Sequence, residues 1–496
     1  MKPIKYITAI LFSAILFNSC IDLEREDYRE IYPENFFLNE NDIQLATNAL
    51  YSSFRPGWQN FYSSDKWGYH VFTEMTTDVL FCTWGWEWDA LHLHTWYETK
   101  SGGDMSIFYQ SYSYYNFLST ARNTIRAIEN SSVQDHIKNV YNGEARALRG
   151  WMGLYLYDLF GPVPVASDEV LDNPQEKVYL MRLTEEEYDQ FMEDNLLKAI
   201  EYLPETASAR GRITKGAARM ILLKYYMIKK NFAKAETLAR DLLAMEGRVY
   251  ELQSNYNSIF SKEGIGNKEI ILGIPCNASI EVTSNFWLAH AVPEDYPYPV
   301  STATMWGAYI IPWNFMDKHF TNSNDTRLDG IITSYTNKGG TLVKRGEGNL
   351  AAGAYPMKYG VDTEMMGSGM NIDMVVYRFA DVLLTLAECI NENTGAPTPE
   401  AIALVNRIRN RAHTGDLSSD AVSGKQAFND AILAERGREF YAEGLRRQDL
   451  IRHGKYISSA QERTENQTAS YKVRFPIPVT FITESKDNIV QNEGYR

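Results

Sequence analysis

Aromatic and acidic side chains crowd one stretch of this 496-residue sequence. Trp58, Phe61, Tyr62, Trp67, Tyr69, Trp84, Trp86, Trp88, Trp96 and Tyr97 are interleaved with Asn60, Asp65, Asp78, Glu87, Asp89, His92 and His94. A pyranose ring has an apolar C–H face and a rim of hydroxyls. Flat indoles meet the face, and carboxylates or amides grip the rim. The alternation Trp84-Gly85-Trp86-Glu87-Trp88-Asp89 would aim several indoles one way from a strand or extended loop. A second aromatic set follows: Phe286, Trp287, Tyr296, Tyr298, Trp306, Tyr309 and Trp313. The expected ligand platform is drawn from Trp84, Trp86, Trp88, Trp96, Trp287 and Trp306, with Asp78, Asp89, His94, Asn285 and Tyr296 beside it. The competing reading makes about half of these aromatics core or protein interface, where Trp and Tyr are also enriched.

No catalytic motif accompanies them. The sequence has no His-Glu-x-x-His, no phosphate loop ending in Gly-Lys-Ser or Gly-Lys-Thr, and no Gly-x-Ser-x-Gly. His92-Leu93-His94 supplies two histidines with no fixed third ligand, which is thin support for a metal. No cofactor is expected, and a structural calcium would leave no readable spacing. A glycoside hydrolase needs a carboxylate pair whose spacing is spatial, so it stays a lesser alternative.

The elements that must position these residues are helical. Ile137, Val140, Tyr141, Leu148, Met152, Tyr155, Leu156 and Leu159 recur at three and four, until Gly161-Pro162-Val163-Pro164 stops the helix. Thr184 with Glu187 reads as a capping box for a helix through Tyr188, Phe191, Leu196 and Ile200. Helices after Thr214 and after Asn231 form a tetratricopeptide-like hairpin. Similar pairs read at Asp42–Phe54 with Ile107–Ala127, and at Tyr377–Asn391 with Pro399–Ala412; Phe428–His453 is a last helical stretch. Segments 55–105 and 270–374 lack helical period, and the run from Ile270 to Gly273 reads as a strand. The expected fold is all-α dominated, a helical-hairpin scaffold with two long irregular inserts and a few short strands.

Composition sets the compartment and excludes partners. The formal charge of −14 argues against nucleic acid, which rewards clustered Lys and Arg. Lys2 and Lys5 followed by an apolar run from Ile7 to Phe17 read as an export signal, too short to span a bilayer. It ends at Ser19-Cys20, the pattern of a bacterial lipoprotein. Residues 1–19 would be removed, Cys20 would carry the lipid, and residues 20–496 would form a single domain held to the membrane by the lipid alone. The acidic run from Asp22 to Asp27 resembles a surface-export signal. Cys82, Cys276 and Cys389 are scattered and odd in number, so buried free thiols are expected.

Six segments together resemble the SusD/RagB family of outer-membrane nutrient-binding lipoproteins. They are the lipoprotein start; Glu144-Ala145-Arg146-Ala147-Leu148-Arg149 running on to Phe160-Gly161-Pro162; the run from Gly211 to Ala217; Tyr377-Arg378-Phe379-Ala380-Asp381 with Glu388; Glu435-Arg436 and Arg438-Glu439 with Glu443-Gly444, Arg446 and Asp449; and Phe475-Pro476-Ile477-Pro478 with Asn488, Asn492 and Tyr495. The resemblance implies a SusD-like α-α superhelix. It also implies a role as a lid on a SusC-like TonB-dependent barrel of the outer membrane, to which an oligosaccharide, or in some members a peptide, is handed. Its charged motifs lie on apolar helices and are expected to pair with one another as fold-holding salt bridges.

Overall fold

The structure, a computed structural model, describes residues 37–96, 105–463 and 468–495. Cys20 and the leader lie outside them. Among the described residues no helix is long and apolar enough to cross a membrane.

The scaffold is a series of antiparallel helices, each packed on its neighbour. Asp135–Phe160 runs for 26 residues and is buried on nearly all sides from Asn142 onward. Tyr115–Asn130 and Glu185–Tyr202 flank it. The capping box forms as the sequence predicts, with Thr184 accepting from Glu187 N–H and the Glu187 carboxylate accepting from Thr184 N–H. Lys215–Ile228, capped by Thr214, then pairs with Phe232–Leu243, capped by Asn231. The chain leaves the scaffold after Leu243 and re-enters at Phe379–Thr394, which packs on Phe232–Leu243 and ends at Gly395 in the left-handed region. Pro399–Arg411 completes that hairpin.

Two predicted elements differ. Glu40–Tyr51 packs mainly on Asp135–Phe160 rather than pairing with the helices after Ile107. The stretch 428–453 is two helices, Lys425–Glu439 and Arg446–Arg452, broken by Ala442 and Gly444 at positive φ.

The described residues also form seven short strands: β1 Phe81–Cys82, β2 Ile270–Ile274, β3 Tyr309–Pro312, β4 Tyr335–Thr336, β5 Leu342–Val343, β6 Gly353–Ala354 and β7 Met374–Arg378. β1, β3 and β6 form an antiparallel sheet with Cys82 opposite Tyr309 and Pro312 opposite Gly353. It ties the first insert to the second. β2 pairs with β7, Ile270 opposite Arg378, and leads directly into the Phe379 helix; β4 pairs with β5. One apolar core runs from Ile43 to Tyr495. Cys82, Cys276 and Cys389 are buried free thiols, as expected.

The family-type charges do pair with one another. Arg378 bonds Glu443 through Nε and Nη2, and Glu269 and Glu439 through Nη1. Arg411 joins Glu269 and Glu439, and Arg327 joins Asp325, Glu435 and Glu439. Asp381 meets Arg436 and Lys224, while Arg452 meets Glu388 and Asp449. Burial alone would neutralise these carboxylates. The facing guanidiniums win, and Glu435 is held down at about 2.

Candidate functional site: an aromatic cleft between the two inserts

Three half-buried indoles from both inserts line one cleft of about 440 Å³. Trp58 and Trp84 come from the first insert, and Trp306 from the second. Glu294, Thr304 and Met305 complete the lining.

Each indole is placed by backbone contacts between the inserts. Gly57 N–H donates to Val282 O at 3.3 Å, so Trp58 follows a point where the two chains touch. A Cβ on Gly57 would lie 2.3 Å from Glu281 O, which only glycine avoids. Trp84 follows β1, where Thr83 N–H donates to Ala308 O at 2.9 Å. Trp306 N–H donates to Ala289 O of the short helix Trp287–Ala291 at 2.6 Å.

The rings form a corner rather than a flat platform. Trp306 stands 6.0 Å from Trp58 at 81° and 6.4 Å from Trp84 at 54°. His290 fills the space behind, 4.7 Å from Trp306 and 5.4 Å from Trp84. Its Nδ1 lies 3.0 Å from Phe286 O; a carbonyl only accepts, so Nδ1 carries the hydrogen. Burial lowers the His290 pKa to about 4, so the ring is neutral near pH 7. Trp58 and Trp84 remain 41% and 42% exposed, with faces available to a ligand.

The structure sorts the sequence-based platform sharply. Trp84 and Trp306 line the cleft. Trp86 does not share their direction, because Gly85 at φ +79° and Trp86 at φ +59° turn the chain into the helix Glu87–His92. That turn breaks the predicted alternation. It leaves Trp86 92% exposed while Trp88 packs at 5.5 Å on Tyr309 and is buried.

Trp96 and Trp287 are core residues. The Trp96 indole donates to Tyr495 Oη at 3.0 Å and the Trp287 indole to Pro356 O at 3.0 Å. Neither has a free face for a sugar. His94 is buried with Nε2 on Thr76 O at 2.7 Å. Asn285 is buried too, its amide spent on Ile372 O, Trp287 N–H and the Ser64 hydroxyl. Asp78 is bound in a two-pronged pair to Arg446, both contacts 2.8 Å. Burial would raise its pKa; Arg446 overrides that and holds it at about 2. A ligand hydroxyl would have to break that pair.

Asp89 is partly exposed in the first turn of the helix Glu87–His92 and does not line the cleft. Tyr296 is half-buried against Tyr335 at 5.5 Å and does not line the cleft. Sequence reasoning passed over Trp58 as a site residue. The turn signal Arg55-Pro56-Gly57 just before it marks an exposed position and could have found it.

Two other cavities fit a sugar less well. One among Tyr62, Tyr155, Tyr377 and Lys224 has about 30 Å³, room for a water or two. A groove of about 260 Å³ lies between Tyr51, Trp151 and β2, but its large rings Phe54 and Trp151 are buried.

The helical-hairpin scaffold matches known proteins. Residues 313–495 match the profile of the SusD family. A SusD-like protein of Bacteroides ovatus is 24% identical over 90% of this chain and 82% of its own length. The starch-binding protein SusD of Bacteroides thetaiotaomicron is 25% identical over 71% of each chain. Surface glycan-binding protein A of Bacteroides thetaiotaomicron, solved in complex with laminarihexaose, superposes with a TM-score of 0.72. It is 20% identical, over 92% of this chain and 99% of that one. Residues 313–495 carry the SusD-family match, and most of the chain is similar to SusD-like proteins.

Proposed function

We propose that this protein binds an oligosaccharide in the Trp58–Trp84–Trp306 cleft and passes it, unaltered, to a partner TonB-dependent barrel of the outer membrane. The carrying observation is that indoles from two inserts, more than two hundred residues apart, line one open cleft. The names of two similar proteins, one starch-binding and one solved with laminarihexaose, support a glycan as the ligand class. Binding without turnover agrees with a lining that holds a single carboxylate, Glu294, where glycoside hydrolysis ordinarily uses two.

The site makes one prediction. Trp58→Ala and Trp84→Ala each remove apolar contact worth roughly 1.5–3 kcal/mol, about ten- to a hundredfold in glycan affinity, with little change in melting temperature. Trp287→Ala empties a core position and costs roughly 3–5 kcal/mol of stability instead. Calorimetry with a glycan identified by array screening, run beside thermal melts, separates the two. Normal binding by both cleft variants would place the ligand elsewhere.

The anchor makes another. Lipid on Cys20 would hold the domain at the cell surface. Cys20→Ala should abolish lipid labelling and release the protein from the outer-membrane fraction. Retention through a salt wash would defeat the lipoprotein reading.

A further inference from the structure

The charge of the cleft narrows its ligand, on the reading that it takes a sugar. The Glu294 side chain is exposed in the lining, and among the described residues it has no ion pair or hydrogen-bond partner. No Lys, Arg or His belongs to the lining. Lys338 donates to the Glu294 backbone carbonyl at 2.8 Å without joining the lining. Lys66, on the same insert as Trp84, is paired with Glu87. Asp89, partly exposed on the helix Glu87–His92, stays outside the lining. His290 behind the rings is neutral and offers no positive charge. The faces of Trp58, Trp84 and Trp306 meet at steep angles around this site. Inclined indole faces attract a cation through their quadrupoles, and a carboxylate at the rim adds to that attraction.

We propose that the cleft selects sugars by charge, taking a hexosamine whose nitrogen is a free ammonium ahead of the neutral hexose and rejecting the uronate. The ammonium sits over an indole face and toward Glu294, while the apolar face of the ring lies on a second indole. A uronate carboxylate would face Glu294 with no cation in the lining to pair it.

Monosaccharide glycosides test this without assuming a linkage. Methyl glucosaminide, methyl glucoside and methyl glucuronide are titrated into the full-length protein in mild detergent, just below neutral pH, with indole fluorescence as the readout. The glucosaminide should bind about three- to tenfold more tightly than the glucoside, and the glucuronide more weakly than both. That spread should shrink at high ionic strength, and Glu294→Gln should collapse it to about twofold or less. Equal affinities for the three overturn charge selection and leave the sugar reading intact. Binding of N-acetyl-lysine methylamide as tight as the glucosaminide overturns it in favour of a cationic peptide. No binding by any of the three also overturns it, and a blank glycan array beside that result removes the sugar reading as well.

Discussion

Arg378→Met should destabilise the fold by roughly 3–5 kcal/mol, among the largest effects of any single substitution in this chain. Arg378 is fully buried where β7 enters the Phe379 helix, with its guanidinium 4.5 Å from the Phe440 ring. It touches three buried carboxylates, Glu269, Glu439 and Glu443. Burial works against its charge, and those carboxylates more than restore it. Methionine fills the volume but leaves the acids with less than their due. Arg411 still serves Glu269 and Glu439, and Lys358 still serves Glu443, so the loss stops short of three bare charges. The urea midpoint should fall and glycan affinity at low temperature should not, because the cleft is lined by other residues. A shift under about 1 kcal/mol would show that the network relaxes around the gap. Arg378→Met with Glu443→Met should recover part of the loss, since the pair then leaves together.

Acid should weaken the protein through its buried histidines, before the ion-paired carboxylates protonate. Burial lowers the pKa of His70, His92 and His319 to about 3 and of His290 to about 4, and puts His94 well below its ordinary value. His70 has no hydrogen-bond partner on either nitrogen. In the unfolded chain these rings bind protons below about pH 6.5. The unfolded state then holds more protons than the folded one, so stability falls as pH drops from 6.5 toward 4. Each ring loses about 1.4 kcal/mol per pH unit in that window. Glu74 works the other way. Burial raises its pKa to about 8, against the pull of Lys358 and of its bonds from Ala442 and Gly444 N–H, so the folded state takes up its proton first as pH falls. Five rings outweigh one carboxyl, and the net loss from pH 7 to pH 5 should be about 7 kcal/mol. Urea melts across that range read it directly. A flat profile would mean the rings are hydrated enough to ionise in place.

What the sequence made legible was local. The Thr184–Glu187 capping box, the hairpin from Lys215 to Leu243 and the stop at Gly161 are written in residues three to thirty positions apart, and all appear. The pairing of Glu435, Arg436, Glu439 and Asp449 was legible because buried charges must find partners. Which tryptophans face solvent was not. Trp287 is buried because Pro356 accepts its indole and His70 lies 6.2 Å away, while Trp58 is half-free because Val282 holds its loop at the surface. Asp78 was misread for the same reason: its partner Arg446 is 368 positions away. The alternation at Trp84–Trp88 misled because two successive positive-φ residues turned a period of two into a helix start.

The distance between partners also orders events in time. Glu74 waits for the backbone of Ala442 and Gly444, His94 for Lys472, and Trp96 for Tyr495. A chain growing at about 5–20 residues per second takes roughly 20–75 s to supply them. Until then the walls of the first insert have no backing, and such non-local contacts form slowly once the chain is free. A protein built this way stays uncommitted while it emerges. That suits the exported lipoprotein proposed above, which would be threaded through a membrane before it folds.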